Sequence, residues 1–399
     1  MQVILAGLGG GAWDTVPAGV QKSLQGCARV IGAARLLAAL PDTVTRDRVA
    51  AVRPREILAA IQGAPGPCAV VYSGDTGFYS GCRTLLPLLE SAGIPARVYP
   101  GLSSVQLLAA ALGTPWQDWH LVSAHGVACD PVAAVMQGRP AFFLTGGEDT
   151  PAALCAALTA AGLGELEAAV GENLSAPDQR LCRGTAAQLA RQIFAPLSVL
   201  LVQPASLPPR RTPGWPDDCF RRQEKIPMTK QLVRAAILAK LAPAPGQVLW
   251  DVGAGTGSVS IELAAANGGA PVYGVECQPA ALALAAENRA ALHAWNLRLV
   301  EGRAPEALAD LPAPDGVFVG GGGKDLAAIL DRILEKNPGA RVCVSAIALE
   351  TLAAAQTAMA QRGMAPDICQ VAVSTARPAG GLHLLMAGNP IFLITGQRL

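Results

Sequence analysis

The 399-residue sequence has few aromatic residues (4%), little charge (15%) and four histidines, and none of its apolar runs reaches the ~18 residues that a membrane-spanning helix needs. Little charge beside 51% hydrophobic residues excludes a disordered chain, and the scarcity of aromatics leaves Ala, Leu and Val to build the core. Lys and Arg (31) nearly balance Asp and Glu (30), so no global field steers the chain to nucleic acid or a membrane, and neither partner is expected. Any anion site must be local. The ten cysteines form no C-x-x-C pair and the histidines no H-x-x-x-H, so neither a metal centre nor a disulfide framework is expected. The cysteines read instead as small buried hydrophobes of a reducing compartment. No basic leader precedes the strand-like Gln2-Val3-Ile4-Leu5-Ala6, and a cytoplasmic protein is expected. Length over ~150 suggests two or three domains.

Between Gln2 and Gln203 short apolar runs alternate with helical patterns. Strands are expected at 3–6, 29–31, 68–73, 96–99, 119–122, 141–144, 166–172 and 197–202. Helices are expected at 54–62, 79–92, 131–137 and 151–161, the last two opening on an N-cap and a first-turn proline. From Gln203 to Trp215 the periodicity yields to Pro, Arg and Gly, which suits a semi-rigid connector. Domains are therefore expected at 1–203 and 215–399, with a linker at 204–214. The second half carries a helix with Val233, Ile237 and Leu241 on one face, then strands at 248–252, 271–276, 297–300, 316–319 and 340–345. Helices at 279–292, 325–335 and 349–361 separate them, and two last strands, 367–374 and 382–395, should pair antiparallel. The class is α/β throughout.

Asp251-Val252-Gly253-Ala254-Gly255-Thr256-Gly257 follows a buried strand and opens the helical run 258–266. Glycines in alternation let another molecule touch bare backbone. The dinucleotide pattern G-x-G-x-x-G fails at its third place, Ser258, whereas D-x-G-x-G-x-G resembles motif I of the class I S-adenosylmethionine-dependent methyltransferases, which have a Rossmann-like seven-stranded fold. Glu276, ending the next strand, can accept both ribose hydroxyls of an adenosyl group, a device that nicotinamide enzymes share. Gly302-Arg303-Ala304 falls where such domains meet the adenine edge, and Gly320-Gly321-Gly322-Gly323 suggests close approach by a ligand. A phosphate-binding loop is rejected, because Asp325 follows Lys324 where Ser or Thr must hold magnesium, and Phe318 replaces the first glycine. The N/D-P-P-Y of base and amide N-methylating enzymes is missing after the fourth strand, and Asn389-Pro390-Ile391 reads as the turn of the last hairpin.

Three loops stand out in the first half: Gly7-Leu8-Gly9-Gly10-Gly11, Ser73-Gly74-Asp75-Thr76-Gly77-Phe78-Tyr79-Ser80 and Tyr99-Pro100-Gly101-Leu102-Ser103-Ser104. In this order they resemble the tetrapyrrole methylases, a class III fold of two α/β lobes with S-adenosylmethionine between them. The first loop matches G-x-G-P-G with Gly10 in place of the proline. Gly74, Asp75 and Phe78 match the second, and Ser103 and Ser104 the third. The resemblance implies backbone contacts from Leu144, Thr145, Asn173 and Leu174, and a substrate-placing role for His125, for which a structural role is an equal reading. In the second half Pro227-Met228-Thr229-Lys230, the 251–257 turn, the strand 315–320 and the last hairpin match in turn.

A tetrapyrrole methylase joined to a class I methyltransferase resembles the fused precorrin-6Y C5,15-methyltransferases (decarboxylating) of cobalamin synthesis. That resemblance implies two S-adenosylmethionine sites, one per domain, a carboxylate-rich precorrin as substrate, methylation at C5 by the first domain, and C15 methylation with decarboxylation by the second. A homo-oligomer is also expected. Contacts are implied for Gly7, Gly9, Gly253, Ala254, Gly255, Thr256, Gly257, Glu276, Gly302, Ala304 and Gly320, with Thr229, Lys230 and Arg303 as further positioning candidates. Arg210, Arg211, Arg221, Arg222, Lys225 and Lys230 offer cations for substrate carboxylates, or else a solvated linker face. A nicotinamide-dependent reductase and a non-catalytic tetrapyrrole carrier are the alternatives.

Overall fold

The computed structural model describes residues 2–208, 212–320 and 323–398; Arg210, Arg211, Gly321 and Gly322 lie outside the described residues. Contacts divide the chain into two units, one ending at Gln203 and one running from Pro204, with the short segments Asp130–Gly138 and Ala160–Leu163 grouping with the second.

In the first unit β1 (Val3–Gly7), β2 (Arg29–Gly32), β3 (Arg48–Ala50), β4 (Cys68–Tyr72) and β5 (Ala96–Tyr99) form a parallel sheet ordered β3-β2-β4-β1-β5. Its central strands are apolar along their length because both faces are covered. Ala6, Val30 and Val71 pack on one face with Val20 and Leu24, and Val3, Leu5, Ile31 and Val70 on the other with Ile57, Ile61 and Leu85. A second sheet holds β6 (His120–Ser123), β7 (Ala141–Leu144), β8 (Glu167–Glu172), β9 (Arg180–Thr185) and β10 (Ser198–Val202), ordered β6-β7-β10-β8-β9 and parallel only between β6 and β7. These are the two expected lobes. The helix expected at 79–92 starts only at Cys82, since Tyr79 has φ 47°, and the one expected at 131–137 stops at Val135.

The second unit holds β11 (Leu249–Val252), β12 (Val272–Glu276), β13 (Leu297–Glu301), β14 (Gly316–Val319), β15 (Arg341–Ala346), β16 (Asp367–Val371), β17 (Ser374–Ala379), β18 (Leu382–Ala387) and β19 (Ile391–Gly396). Seven of them make one sheet ordered β13-β12-β11-β14-β15-β19-β16, with β19 antiparallel to both neighbours. Connections reverse direction between β11 and β14, which opens a crevice at the carboxyl ends of the strands. The expected strand 382–395 is two strands. β18 pairs with β17 in an exposed hairpin turned at Gly380 and Gly381, both at positive φ, while β19 returns to the sheet. Asn389-Pro390 is thus the link back from that hairpin, and not the turn of a closing one.

Cys27, Cys68, Cys82, Cys155 and Cys343 are buried, as expected of free thiols, but Cys219 and Cys277 are exposed. Among the described residues no helix is long and apolar enough to cross a membrane.

Candidate functional site

In the first unit the loops after β1, β4 and β5 meet at one edge of the parallel sheet. Gly9 and Gly74 exchange backbone hydrogen bonds, and a Cβ on Gly7 would stand 2.5 Å from the Gly74 carbonyl and 2.8 Å from the Gly101 nitrogen. Glycine is required there for space. Asp75 fastens the assembly: Oδ2 accepts from the Gly77 amide at 2.8 Å and Oδ1 from the Gly101 amide at 3.0 Å. Phe78 reaches across to the second lobe and packs with Phe142, Leu144 and Leu174. Gly10 is explained by the same approach, since any side chain on it would strike Ser175 and the Leu174 carbonyl. The glycine that replaces proline in the first loop is therefore where the lobes touch.

Other predicted residues are engaged in scaffolding. Ser103 caps the helix Ser104–Leu112 in a box with Gln106, and the Thr145 hydroxyl donates to the Ser198 carbonyl at 2.6 Å. Asn173, at φ 46°, donates to Asp178 at 2.7 Å. His125 is exposed, lies over Gly146, and has Nδ1 3.3 Å from the Thr145 carbonyl, which supports the structural reading of that residue.

In the second unit Gly253, Gly255 and Gly257 have φ of +86°, +55° and +75°, the left-handed region that other residues enter only at a cost. The turn must therefore carry glycine for its conformation. Glu276, 8% exposed, holds the turn with Oε2 on the Gly255 amide and Oε1 on the Gln278 amide, both at 2.9 Å. Each oxygen keeps a second lone pair for a donor such as a hydroxyl. Asp251 lies behind the turn, where Oδ2 accepts from Ser260 Oγ at 2.5 Å and Oδ1 has no partner among the described residues. Burial raises its pKa to about 6, against the lowering effect of Ser260. Thr256 Oγ1 is also buried with no partner among the described residues. Gly320 abuts the Gly253 carbonyl, both glycines are exposed, and Gly302 closes on Ala307 beside Ala304. Orphaned polar atoms around an open glycine cradle fit an adenosyl amino acid.

The residues before the helix Gln231–Leu241 cover this turn, for the Pro227 carbonyl would lie 3.3 Å from a Cβ on Gly255. Their placement rests on residues that sequence patterns did not single out. Arg234, fully buried, donates to Glu262 at 2.7 Å, to Asp217 at 2.8 Å and to the Thr229 carbonyl, with its guanidinium 4.6 Å from the Phe220 ring. Glu262 also accepts from the amides of Gly214 and Trp215. Asn288, fully buried, donates to the Thr256 carbonyl at 2.9 Å and accepts from the Arg221 amide at 2.7 Å. Only charged or polar residues on otherwise apolar helix faces could have signalled this network. Arg303 is 75% exposed and pairs with Asp325 at 2.8 Å, joining the loops after β13 and β14. Arg221 pairs with Glu287, and Lys230 is exposed at the helix N-cap.

Comparison with known proteins places both units. A family model described as Tetrapyrrole (Corrin/Porphyrin) Methylases matches residues 2–190, and one described as Precorrin methyltransferase domain matches residues 218–397. A Mycobacterium tuberculosis Precorrin-6Y C(5,15)-methyltransferase [decarboxylating] is 32% identical over 369 residues, 90% of this chain and 91% of its own. The Sinorhizobium sp protein of the same name is 32% identical over 82% of this chain and 79% of its own. A shorter Pyrobaculum calidifontis protein, a probable cobalt-precorrin-6B C(15)-methyltransferase (decarboxylating), is 41% identical over 47% of this chain and 97% of its own. With full-length relatives matched across most of both sequences, the chain belongs to the family of precorrin-6Y C(5,15)-methyltransferases (decarboxylating).

Proposed function

We propose that the chain is a bifunctional S-adenosylmethionine-dependent C-methyltransferase of corrin synthesis that converts precorrin-6B to precorrin-8X. In this reading 1–203 methylates C5, 204–214 is a connector, and 215–399 methylates C15 and releases the ring-C acetate carboxyl as carbon dioxide. The observation that carries it is the pair of glycine-lined loop systems, each clipped by a carboxylate, on two separate sheets of one chain. The bound cofactor supplies an electrophilic methyl on a sulfonium; the ring carbon takes that methyl and the thioether leaves.

The chain's share of such a displacement is proximity and a fixed line of approach, worth up to ~7–11 kcal/mol. The clipped turns provide the fixity, and the conjugated ring accepts the electron pair left by the departing carboxyl. The match to a stand-alone C(15)-methyltransferase supports an autonomous second half. Free thiols throughout fit a cytoplasmic setting, and a homo-oligomer belongs to the same reading.

Calorimetric titration should find two equivalents of S-adenosylmethionine and none of NADH. Incubation with precorrin-6B should add two methyls and remove one carbon dioxide by mass spectrometry. One equivalent, or an unchanged substrate mass with folded protein, overturns the reading. Parallel incubation with the cobalt-loaded substrate decides which form the enzyme takes.

A further inference from the structure

Five polar or charged side chains are buried among the described residues of the first unit. Thr76 and Ser103 belong to the glycine-bearing loops after β4 and β5. Thr145, Glu172 and Ser198 lie together at one end of the second-lobe sheet, where β7 and β8 stop and β10 starts. Glu172 is the only charge among the five. Taking a carboxylate out of water costs free energy, and strand pairing does not require it.

The partners of Glu172 span that end of the sheet. Oε2 accepts from Arg180 Nε and, weakly, from Cys182 Sγ at 3.8 Å, while Oε1 accepts from the Ala195 amide at 2.7 Å. The Ala195 carbonyl accepts from Ser198 Oγ, and the Ser198 carbonyl from Thr145 Oγ1, both at 2.6 Å. A chain of hydrogen bonds thus runs from β9 through β8 and the segment before β10 to the residue after β7. The bond from Arg180, aided by the Ala195 amide, outweighs burial and holds the Glu172 carboxyl below its ordinary pKa.

What this chain secures is a strained loop. Glu172 ends β8 and Arg180 opens β9 opposite it, so their contact closes the base of the loop 173–179. Inside the loop Asn173 and Ser175 have φ of 46° and 68°, conformations that residues with a Cβ keep only where their surroundings over-determine them. The Asn173 amide donates to the Leu197 carbonyl at 2.9 Å and the Ser175 amide to Gln179 Oε1 at 2.8 Å. Ser175 and the Leu174 carbonyl press on Gly10 of the first glycine loop, and Leu174 joins the cluster that holds Phe78 of the second. The backbone of 173–175 is therefore the wall of the glycine-lined site on the second-lobe side.

We propose that Glu172 is a positioning residue for the cofactor of the first unit, a clasp that fixes the wall 173–175 and, through Ala195 and Ser198, the start of the loop after β7. The inference rests on the reading above, in which S-adenosylmethionine fills the glycine-lined loops of this unit. It adds a third carboxylate to Asp75 and Glu276, one that grips the second lobe and touches no glycine loop itself.

Steady-state kinetics of C5 methylation by the full chain test it. Glu172→Gln should raise the KM for S-adenosylmethionine about tenfold, as loss of a hydrogen-bonded charge does. R180Q, at a half-exposed partner, and S198A, one bond removed from the carboxylate, should each raise it roughly threefold. R180K, which returns a cation, should recover at least part of the R180Q loss, and E172Q/R180Q should be no worse than E172Q because the two act as a unit. The KM for precorrin-6B and the release of carbon dioxide should stay those of the parent. Unchanged cofactor KM in folded variants overturns the proposal. So does a fall in C5 kcat at unchanged cofactor KM with a lower unfolding midpoint, which would make Glu172 a residue of stability alone. If E172Q does not fold, R180Q and S198A carry the same test. If the parent transfers no methyl to C5, the activity reading fails on its own, and amide hydrogen exchange judges the clasp. Faster exchange of 173–179 and 193–197 in E172Q or R180Q, with the rest of the sheet unchanged, sustains it, and unchanged exchange overturns it.

Discussion

Asp75 in the first unit and Glu276 in the second perform the same task on unrelated sheets. Each carboxylate accepts one amide from two residues on, Gly77 or Gln278, and one from a glycine in a distant loop, Gly101 or Gly255. What differs is why the loops carry glycine. In the second unit the reason is conformation, because three alternating residues sit at positive φ within one turn. In the first, Gly9, Gly11 and Gly74 also sit at positive φ, but space is a second reason: the backbones of three loops converge until Gly7 and Gly101 have no room for a Cβ, and the second lobe presses on Gly10. One site is therefore a property of a single turn, and the other of loops far apart in sequence held in mutual contact.

Cutting the clips should give the largest effects. Glu276→Ala should lower C15 methylation and carbon dioxide release roughly 100-fold while C5 methylation continues, since a misplacement of about 1 Å costs that much. Asp75→Ala should do the reverse. Mass spectrometry of the products separates a one-methyl shift from none, and loss of both methyls in either folded variant would break the comparison by showing that the sites are coupled.

The contrast between space and conformation predicts a ranking. Gly7→Ala drives a methyl into the carbonyl of Gly74 and should destabilise the first unit by about 3 kcal/mol or more. Gly255→Ala meets only the Pro227 carbonyl at 3.3 Å and carries a left-handed φ, a cost of ~1–2 kcal/mol. Calorimetric unfolding of the two variants tests the order. Equal losses would mean that the first-unit loops can move apart, and that their contact is incidental.

The same contrast explains what the sequence revealed. The second site was legible because its turn, its helix and the strand before it are consecutive, and β11, β12 and β14 announce themselves as buried apolar runs. The strands β3 and β9 lie at sheet edges and were missed, β3 because it is only three residues long and β9 because it is written largely in polar letters, Arg180-Leu181-Cys182-Arg183-Gly184-Thr185. The exposed hairpin was merged with β19 because the apolar run Leu384–Ala387 resumes at Ile391 just beyond Asn389-Pro390. No spacing rule pairs Arg234 with Glu262, which lie on separate helices and meet only once those helices pack. Asp75 and Glu276 were legible as site residues, but their grip on glycine amides in other loops was not, because that bond exists only after the loops converge.

The smallest expected effect concerns Asp251, whose hydrogen bonds come from Ser260 on the following helix and not from the amides of the glycine loops that the two clips hold. Its carboxyl is buried, one oxygen has no partner among the described residues, and its pKa is raised to about 6 from the ordinary 3.8. A raised folded-state pKa means that the folded chain keeps a proton which the unfolded chain has already released. The contribution of Asp251 to stability is therefore fully present below about pH 4 and is lost as pH rises through 6, a change bounded by about 3 kcal/mol. Asp251→Asn cannot ionise and still offers Ser260 an acceptor oxygen, so the variant should be more stable than the parent at pH 7 by about 1 kcal/mol. The gap should open between pH 4 and pH 6 and stay constant above 7, while affinity for S-adenosylmethionine falls. Urea unfolding of the second unit across that range, with a cofactor titration at pH 7, reads both. A gap independent of pH would show that Asp251 does not titrate there, and would leave the stability of the turn to its glycines and the Glu276 clip alone.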